Sequence, residues 1–291
     1  MYYRKESYER RQCYCGFHGY HSHDYNSLNR PVNSDGSIDY TDKYLVGVEM
    51  EVEFEFEDDR DEFADTDSNY YYCESDVSLD DEGCEIITVP LRPSDARSVE
   101  FWEELCDEVS SRASADSGNC GLHVHFGKAI LGHSILSNDE YEDNLGKLLY
   151  FYHHVLKDTD FNKSVYGRSV CYSERDGKTP QGCAIDVLGR DVLKDKDVQD
   201  MVKKASIDKG YTTRYFDINI TNGNTIEFRK GAGTVSAEKI SMIVEYSELI
   251  CWFVKSVDWE DLILENFAEF LKENARNKRL IQKVELYLLC V

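Results

Sequence analysis

The sequence predicts an α+β fold in which helices pack on one face of a largely antiparallel sheet. Three observations indicate this class. Residues 48–57 alternate strictly between apolar and acidic side chains, which is the pattern of a β-strand. Segments with apolar residues at helical spacing lie between this strand and later strand patterns. Two short strand patterns flank Asn222-Gly223-Asn224, whose composition is typical of a hairpin turn.

The first elements can be placed from local chemistry. Ordered core is expected from Tyr44, because Leu45 and Val46 lead into the alternating strand. The run from Glu57 to Asn69 is charged and has little to bury, so we expect a loop there. The segment from Cys84 to Pro90 predicts a strand that ends at its proline.

Helical spacing defines the later elements. Helix signals follow from Ser94, behind a serine N-cap, and consist of Val99, Trp102, Leu105, Cys106 and Val109 at helical spacing. A second helix is expected to start near Ser137 or Asn138 and to reach Leu156. A third helix is expected to begin at Ser236, and the stretch from Trp259 is charged and helical in pattern. The apolar stripe of the third helix consists of Ile240, Ile243, Val244, Ser247, Cys251 and Val254.

The chain divides by composition into an arm and one large domain. Residues 1–43 are polar, rich in tyrosine and poor in apolar side chains, and residues 44–291 are expected to form the domain. Within that domain, residues 158–212 are polar and rich in glycine. Long polar insertions of this kind in compact domains are usually functional or disordered, so we expect this one to cover a site.

The net charge of −23 excludes several function classes. A chain with 56 acidic and 33 basic residues has no basic stripe for nucleic-acid phosphates or for an anionic membrane surface. No apolar run approaches the roughly 20 residues of a membrane span, and no hydrophobic segment follows the first residues as in a signal peptide. Ten scattered cysteines are then expected to be reduced thiols, and the protein to be soluble and cytoplasmic.

The alternating strand carries a concentrated negative charge. Its acidic positions are Glu49, Glu51, Glu53, Glu55 and Glu57. Neighbouring carboxylates on one strand face lie about 6.7 Å apart. Each pair repels by roughly 0.6 kcal/mol in water and by about 2.5 kcal/mol at an effective dielectric near 20. A solvated face tolerates this repulsion, whereas an enclosed face requires cations, arginines or raised pKa values, and both alternatives are open at this point.

Two other segments offer matching ligand chemistry. His123 and His125 are two residues apart in a strand pattern, so they share a face. Glu227 and Arg229 share a face in the second strand of the predicted hairpin, and Glu85 adds a carboxylate on another strand. Carboxylate oxygens together with imidazole suit Mg²⁺ or Mn²⁺ better than a metal that prefers thiolates.

The arm contains a separate group of possible metal ligands. Its segment Cys13-Tyr14-Cys15-Gly16-Phe17-His18-Gly19-Tyr20-His21-Ser22-His23 holds five cysteine and histidine side chains. The spacing differs from the usual pair of cysteines separated by two residues. A structural Zn²⁺ site is one interpretation, and an arm without metal that binds a substrate or partner is the other.

Four motifs in this order resemble those of the putative amidoligase family. They are Gly47-Val48-Glu49-Met50-Glu51, Glu85 before Thr88-Val89-Pro90, Gly121-Leu122-His123-Val124-His125, and Glu227-Phe228-Arg229 followed by Gly233-Thr234. This family is related to glutamine synthetase and glutamate–cysteine ligase, and its members often occur in phages and mobile elements. The resemblance covers roughly residues 44–256 and implies a sheet of the glutamine synthetase catalytic type.

The resemblance implies an ATP-dependent carboxylate–amine ligase that forms an amide or isopeptide bond through an acyl phosphate. It implies that Mg²⁺ or Mn²⁺ ions are held by Glu49, Glu51, Glu85, His123 and Glu227. It implies that ATP is bound by His125, Arg229, Arg214 and Asn219. It implies catalytic roles for His125, Arg229 and Arg168, with Arg168 in contact with a substrate carboxylate or phosphate.

The residues themselves leave two other function classes open. A metal-dependent hydrolase also uses glutamate and histidine clusters to activate water, although it has no need of ATP. A cation-binding interaction protein without turnover is the non-catalytic alternative. The carboxylate and amine substrates, which include a peptide or protein among the candidates, and the oligomeric state do not follow from the sequence.

Overall fold

The computed structural model describes residues 44–65, 68, 70–74, 79, 82–115, 119–133, 139–168, 194, 217–220, 222 and 224–289. The chain divides into two compact units. The first unit is built from Met1–His125 and Ala232–Ser241, and the second from Phe126–Gly231 and Met242–Val291. The predicted arm, Arg214 and most of the predicted insertion lie outside the described residues.

The first unit contains a mainly antiparallel sheet. Its strands are β1 (Val46–Phe54), β2 (Tyr71–Glu74), β3 (Gly83–Thr88), β4 (Ala113–Ser114) and β5 (Gly121–Gly127, in this unit as far as His125). The order is β2-β3-β1-β5, and β4 also pairs with β1. The pairs β1–β3, β1–β4 and β2–β3 are antiparallel. The helices are α1 (Glu57–Ala64), α2 (Pro93–Ala96) and α3 (Val99–Ser110).

The second unit combines an antiparallel hairpin with helices. The hairpin consists of β6 (Ile218–Asn219) and β7 (Thr225–Ala232, in this unit as far as Gly231). The helices are α4 (Asp139–Phe151), α5 (Asp160–Tyr166), α6 (Ala237–Ser256, in this unit from Met242), α7 (Leu264–Asn274) and α8 (Lys278–Leu288). A π-helical turn at Tyr152–Leu156 continues α4, and 3₁₀ turns span Lys128–Leu131 and Trp259–Asp261.

These elements confirm the α+β class with a largely antiparallel sheet. The predicted helical spacing forms α3, which begins at Val99 and not near Ser94, and the hydroxyl of Ser98 caps it by accepting a hydrogen bond from Phe101 N. The apolar stripe predicted for α6 is buried. No helix among the described residues is long and apolar enough to cross a membrane.

The expectation of a loop over residues 57–69 is wrong, because α1 occupies the first part of that run. Three acidic residues in its first turn are favourable at the positive end of the helix dipole. Phe63 is fully buried, and its ring lies 5.5 Å from that of Phe54 and 5.6 Å from that of Tyr71. One well-packed aromatic side chain therefore helps to stabilise a helix whose residues are mostly charged and exposed.

The strand β1 is held by burial of its apolar side chains. Val46, Val48, Met50, Val52 and Phe54 are each at most 5% exposed. Because these residues alternate with the glutamates, they share one face of the strand, and the contact of Phe54 with Phe63 places α1 on that face. The acidic residues between them consequently point to the opposite face of the sheet.

Gly233 packs against Cys120, the residue before β5, so closely that there is no room for a side chain. A Cβ atom at this position would lie 2.6 Å from Cys120 Cβ and 2.7 Å from the carbonyl oxygen of Ala115. The amide of Gly233 donates a hydrogen bond to Cys120 O at 3.1 Å, which fixes this close approach. The glycine therefore lets the chain run directly alongside Cys120.

We expect Gly233→Ala to lower the free energy of unfolding by about 1–3 kcal/mol, because backbone and Cys120 must move apart to admit the methyl group. Urea denaturation monitored by circular dichroism measures the change. Glu103→Ala on the exposed side of α3 serves as a control and should alter stability by less than about 0.5 kcal/mol. Equal stability of the Gly233 variant and the wild type would contradict the tight packing.

Candidate metal centre

The acidic face of β1 is enclosed rather than solvated. Glu49 is 7% exposed and Glu51 is 2% exposed, whereas Glu53 is half-buried and Glu55 lies beyond the end of the strand in an exposed position. The interpretation of this face as a solvated acidic surface is therefore wrong for the two glutamates at the centre of the strand. Their charges must be compensated within the protein or by a bound cation.

Three carboxylates lie side by side on neighbouring strands of the sheet in the first unit and form a carboxylate row. Glu51 on β1 is directly opposite Glu85 on β3, and Glu85 is directly opposite Glu74 on β2. All three are at most 2% exposed. Directly opposite residues have Cβ atoms about 5 Å apart, and two charges at that distance repel by roughly 3 kcal/mol at an effective dielectric of 20. Three ionised carboxylates in such a row require a positive charge nearby.

Two histidines from β5, the other neighbour of β1, approach these glutamates. His123 Nδ1 lies 3.1 Å from Glu49 Oε2, and its Nε2 lies 3.7 Å from Glu51 Oε1. His125 Nε2 lies 2.9 Å from Glu49 Oε1. Glu49 therefore has a histidine at each of its two oxygens. This geometry follows from the parity of the two histidines, which places both rings on the acidic face of the sheet.

The charge state of Glu49 follows from this environment. Burial alone would raise the pKa of Glu49, but the charge of His125 and the hydrogen bonds from both histidines hold the pKa well below its usual value. A carboxyl group whose pKa is lower in the folded state contributes stability above its unfolded-state pKa. That contribution is lost as the pH falls through the folded-state pKa. Glu49 is thus an anion at neutral pH and is available as a ligand.

Three of these side chains form a compact ligand set. Glu49, Glu85 and His123 each offer one ligand atom, and the three atoms lie within 4.8 Å of one another. Glu51 Oε2 is buried beside them and has no hydrogen-bond partner among the described residues. A buried carboxylate oxygen without a donor is costly unless a cation binds it. The donor set, oxygen with one imidazole, fits Mg²⁺ or Mn²⁺.

A second polar group surrounds Glu227 in the second unit. Asn219 Nδ2 donates to Glu227 Oε2 at 2.7 Å, and Asn222 Nδ2 donates to the same oxygen at 3.3 Å. Arg229 Nη1 donates to Glu227 Oε1. Glu227 and Arg229 are 2% and 8% exposed. The predicted hairpin therefore brings three of the expected site residues together: Asn219, Glu227 and Arg229.

The remaining expected residues are less informative. Arg168 is half-buried and follows Gly167, which ends α5 in a left-handed conformation with φ of 76°. Arg214 lies outside the part of the chain that the structure describes, as does the cysteine and histidine cluster of the arm. A shared site for the residues of the first unit and those around Glu227 stays a prediction.

Glu74 is a member of the carboxylate row that sequence reasoning missed. It is the last residue of the short strand β2 and is 1% exposed. Its position opposite Glu85 depends on the register of the β2–β3 hairpin. The aromatic residues before Glu74 indicate a strand. The register of that strand against β3, however, depends on the turn between them and on which face is buried.

A comparison of the chain with protein-family models finds no match, and a comparison with curated proteins finds none either.

The two central glutamates of β1 are expected to respond in opposite ways to neutralisation. Without added metal, Glu51→Gln should raise the free energy of unfolding by about 1–3 kcal/mol, because it removes repulsion with Glu85. Glu49→Gln should lower it by about 1.5–3 kcal/mol, because charge-assisted hydrogen bonds to two histidines are lost. Urea denaturation in EDTA measures both. Equal effects of the two variants would contradict the distinct environments described above.

Proposed function

We propose that this protein is an ATP- and divalent-metal-dependent ligase that joins a carboxylate to an amine. The proposal includes the finer fold assignment, a sheet of the glutamine synthetase catalytic type. The observation that carries it is the buried ligand set of Glu49, Glu85 and His123 beside the unpartnered oxygen of Glu51. The order of the motifs along the chain supports the choice of a ligase among metal-dependent enzymes.

Some of the site residues would bind the cation, and others would orient the phosphates. The divalent cation would be held by Glu49, Glu51, Glu85 and His123. Glu74 lies directly opposite Glu85 on the neighbouring strand. When bound, such a cation neutralises the triphosphate and the charge that develops during phosphoryl transfer to the substrate carboxylate. His125, which lies against Glu49, would contact the phosphates at the edge of this set.

Glu227 and Arg229 would act as a matched pair in the same reaction. As the resemblance implies, Glu227 would be a metal ligand, and the amides of Asn219 and Asn222 orient its carboxylate. Arg229 would direct its planar guanidinium at the transferring phosphoryl group, for which a bidentate donor is well suited. Arg168 and Arg214 would contact the substrate carboxylate or ATP, as the resemblance implies.

Burial of the ligands is consistent with a ligase. An acyl phosphate is destroyed by water, so a ligase must exclude water from its reacting groups. The ligands Glu49, Glu51, Glu85 and His123 are between 1% and 7% exposed, as expected for such a site. The substrates are a carboxylate and an amine, and a peptide or protein side chain would supply either one.

Divalent cations are expected to stabilise the folded protein. With Mg²⁺ or Mn²⁺ at about 100 times its Kd, the gain is about 2.7 kcal/mol, because the ion binds only the assembled ligands. Differential scanning fluorimetry with and without EDTA measures the shift in Tm. Glu85→Gln should abolish most of the shift, and Glu269→Gln, an exposed glutamate of α7, should retain it. A wild-type Tm that is insensitive to both ions would contradict the metal site.

Turnover is expected to depend on the geometry of Arg229. Arg229→Lys keeps the charge but loses the bidentate fork, so kcat for ADP release should fall at least about tenfold, or about 1.4 kcal/mol in the barrier. The assay supplies ATP, Mg²⁺, and mixtures of amines and carboxylates. Arg279→Lys on the exposed side of α8 is the control. Unchanged kcat would remove Arg229 from the site, and substrate cleavage without ATP would favour a hydrolase.

A further inference from the structure

An ion pair is buried behind the strand that carries Glu227 and Arg229. Lys230 follows Arg229 on β7, so its side chain lies on the opposite face of the strand. Its Nζ lies 3.4 Å from Asp217 Oδ2, and the two side chains are 3% and 2% exposed. The hydroxyl of Tyr152, which is fully buried, donates to the same carboxylate oxygen at 3.3 Å.

The protonation of Tyr152 is secured by its surroundings. Burial raises the pKa of Tyr152, and the negative charge of Asp217 raises it further. The hydroxyl therefore remains a hydrogen-bond donor across the neutral range. Tyr152 also begins the π-helical turn at Tyr152–Leu156, and such turns occur often near functional sites.

The stability that such a pair contributes does not explain its presence. Removing two charges from water costs several kcal/mol each, and apolar residues of similar volume often stabilise a core equally well. Phe228 precedes Lys230 on β7 and packs its ring edge-to-face against Tyr152, so the pair stands in aromatic surroundings. A buried pair of this kind can instead make one arrangement of the chain much better than its alternatives.

The alternative that matters is a change of register in the hairpin. β6 has only two residues, with Ile218 opposite Phe228 and Asn219 opposite Glu227. A shift of β6 by one residue would exchange the two faces of this strand. Asn219 would then turn away from Glu227, and the hydrogen bond from its amide to Glu227 Oε2 would be lost. Strand pairing alone resists this poorly, because so short a strand offers few hydrogen bonds.

Asp217 holds the hairpin together through both its backbone and its side chain. Its carbonyl oxygen accepts a hydrogen bond from Arg229 N at 2.7 Å, and its side chain binds the ammonium group of the next residue, Lys230. A slip by one residue would move Asp217 by about 3.3 Å along the strand direction. Both contacts would be lost, and two charges would remain buried without partners.

We propose that Asp217, Lys230 and Tyr152 form a register clamp that holds β6 in place, so that Asn219 stays beside Glu227 on the functional face of the hairpin. The clamp residues touch neither substrate nor cation, so they are positioning residues. The inference rests on the proposed function only for what Glu227 does. The register itself is a property of the hairpin and can be measured without any ligand.

The test is a double variant, Asp217→Asn with Lys230→Met, which removes both charges but leaves an acceptor for the Tyr152 hydroxyl. The matched control is Asp143→Asn with Lys147→Met. The control removes an ion pair on α4 in the same unit, in which Lys147 Nζ lies 3.0 Å from Asp143 Oδ2. It keeps the acceptor for the hydrogen bond from Trp259 Nε1. Hydrogen–deuterium exchange of the peptide spanning residues 225–232 reports the register, and titration with Mn²⁺ and ATP reports the site.

In the clamp variant, exchange across residues 225–232 should accelerate at least tenfold and the affinity for Mn²⁺–ATP should fall at least tenfold, while the Tm stays close to the wild-type value. The control should change neither readout. Wild-type exchange and wild-type affinity in the clamp variant would overturn the inference. Accelerated exchange with unchanged affinity would also overturn it, because the clamp would then stabilise the hairpin without positioning the site.

A second variant keeps the inference testable if the double variant does not fold. Tyr152→Phe removes one hydroxyl and should accelerate exchange of the same peptide about threefold, whereas exchange at the wild-type rate would overturn the role of Tyr152. If the wild type itself fails to bind Mn²⁺–ATP, the proposed function fails. The exchange measurements then still decide whether the clamp sets the register.

Discussion

Repulsion among buried carboxylates is the constraint on which the arrangement of this protein depends. Glu74, Glu85 and Glu51 lie side by side on three strands, and Glu49 follows two residues away on the same face as Glu51. In water this crowding would cost little, but here the side chains are almost completely enclosed. Val48, Met50 and Val52 on the other side of the strand are buried as well, so the centre of β1 is enclosed on both faces.

The protein compensates this charge unevenly, and the unevenness indicates a function. Glu49 has a histidine at each oxygen, which holds its pKa low, whereas Glu51 keeps one buried oxygen without a donor among the described residues. Full compensation by arginine or lysine would give a more stable sheet with no capacity for a ligand. Partial compensation stores an unfavourable interaction that a divalent cation can relieve, so stability and cation binding are linked at the same residues.

The two faces of β7 show a related division. On one face, Glu227 accepts hydrogen bonds from two amides and from Arg229. On the other face, Lys230 and Asp217 form an ion pair that is almost completely buried, and Tyr152 donates a hydrogen bond to its carboxylate. A polar pair in the core limits the hairpin to one register, and the opposite face then presents its side chains in one fixed order.

The sequence by itself determined several of the elements and their faces. Period-two alternation in β1 and β5 and helical spacing in α3, α4 and α6 are local properties, so they predict both the element and the side on which each residue lies. Only the tertiary structure decided which residues meet. Glu74 joined the row through the hairpin register, α1 formed because Phe63 found Phe54 and Tyr71, and the acidic face proved to be enclosed. Burial and cross-strand neighbours depend on contacts between distant parts of the chain, which no local pattern contains.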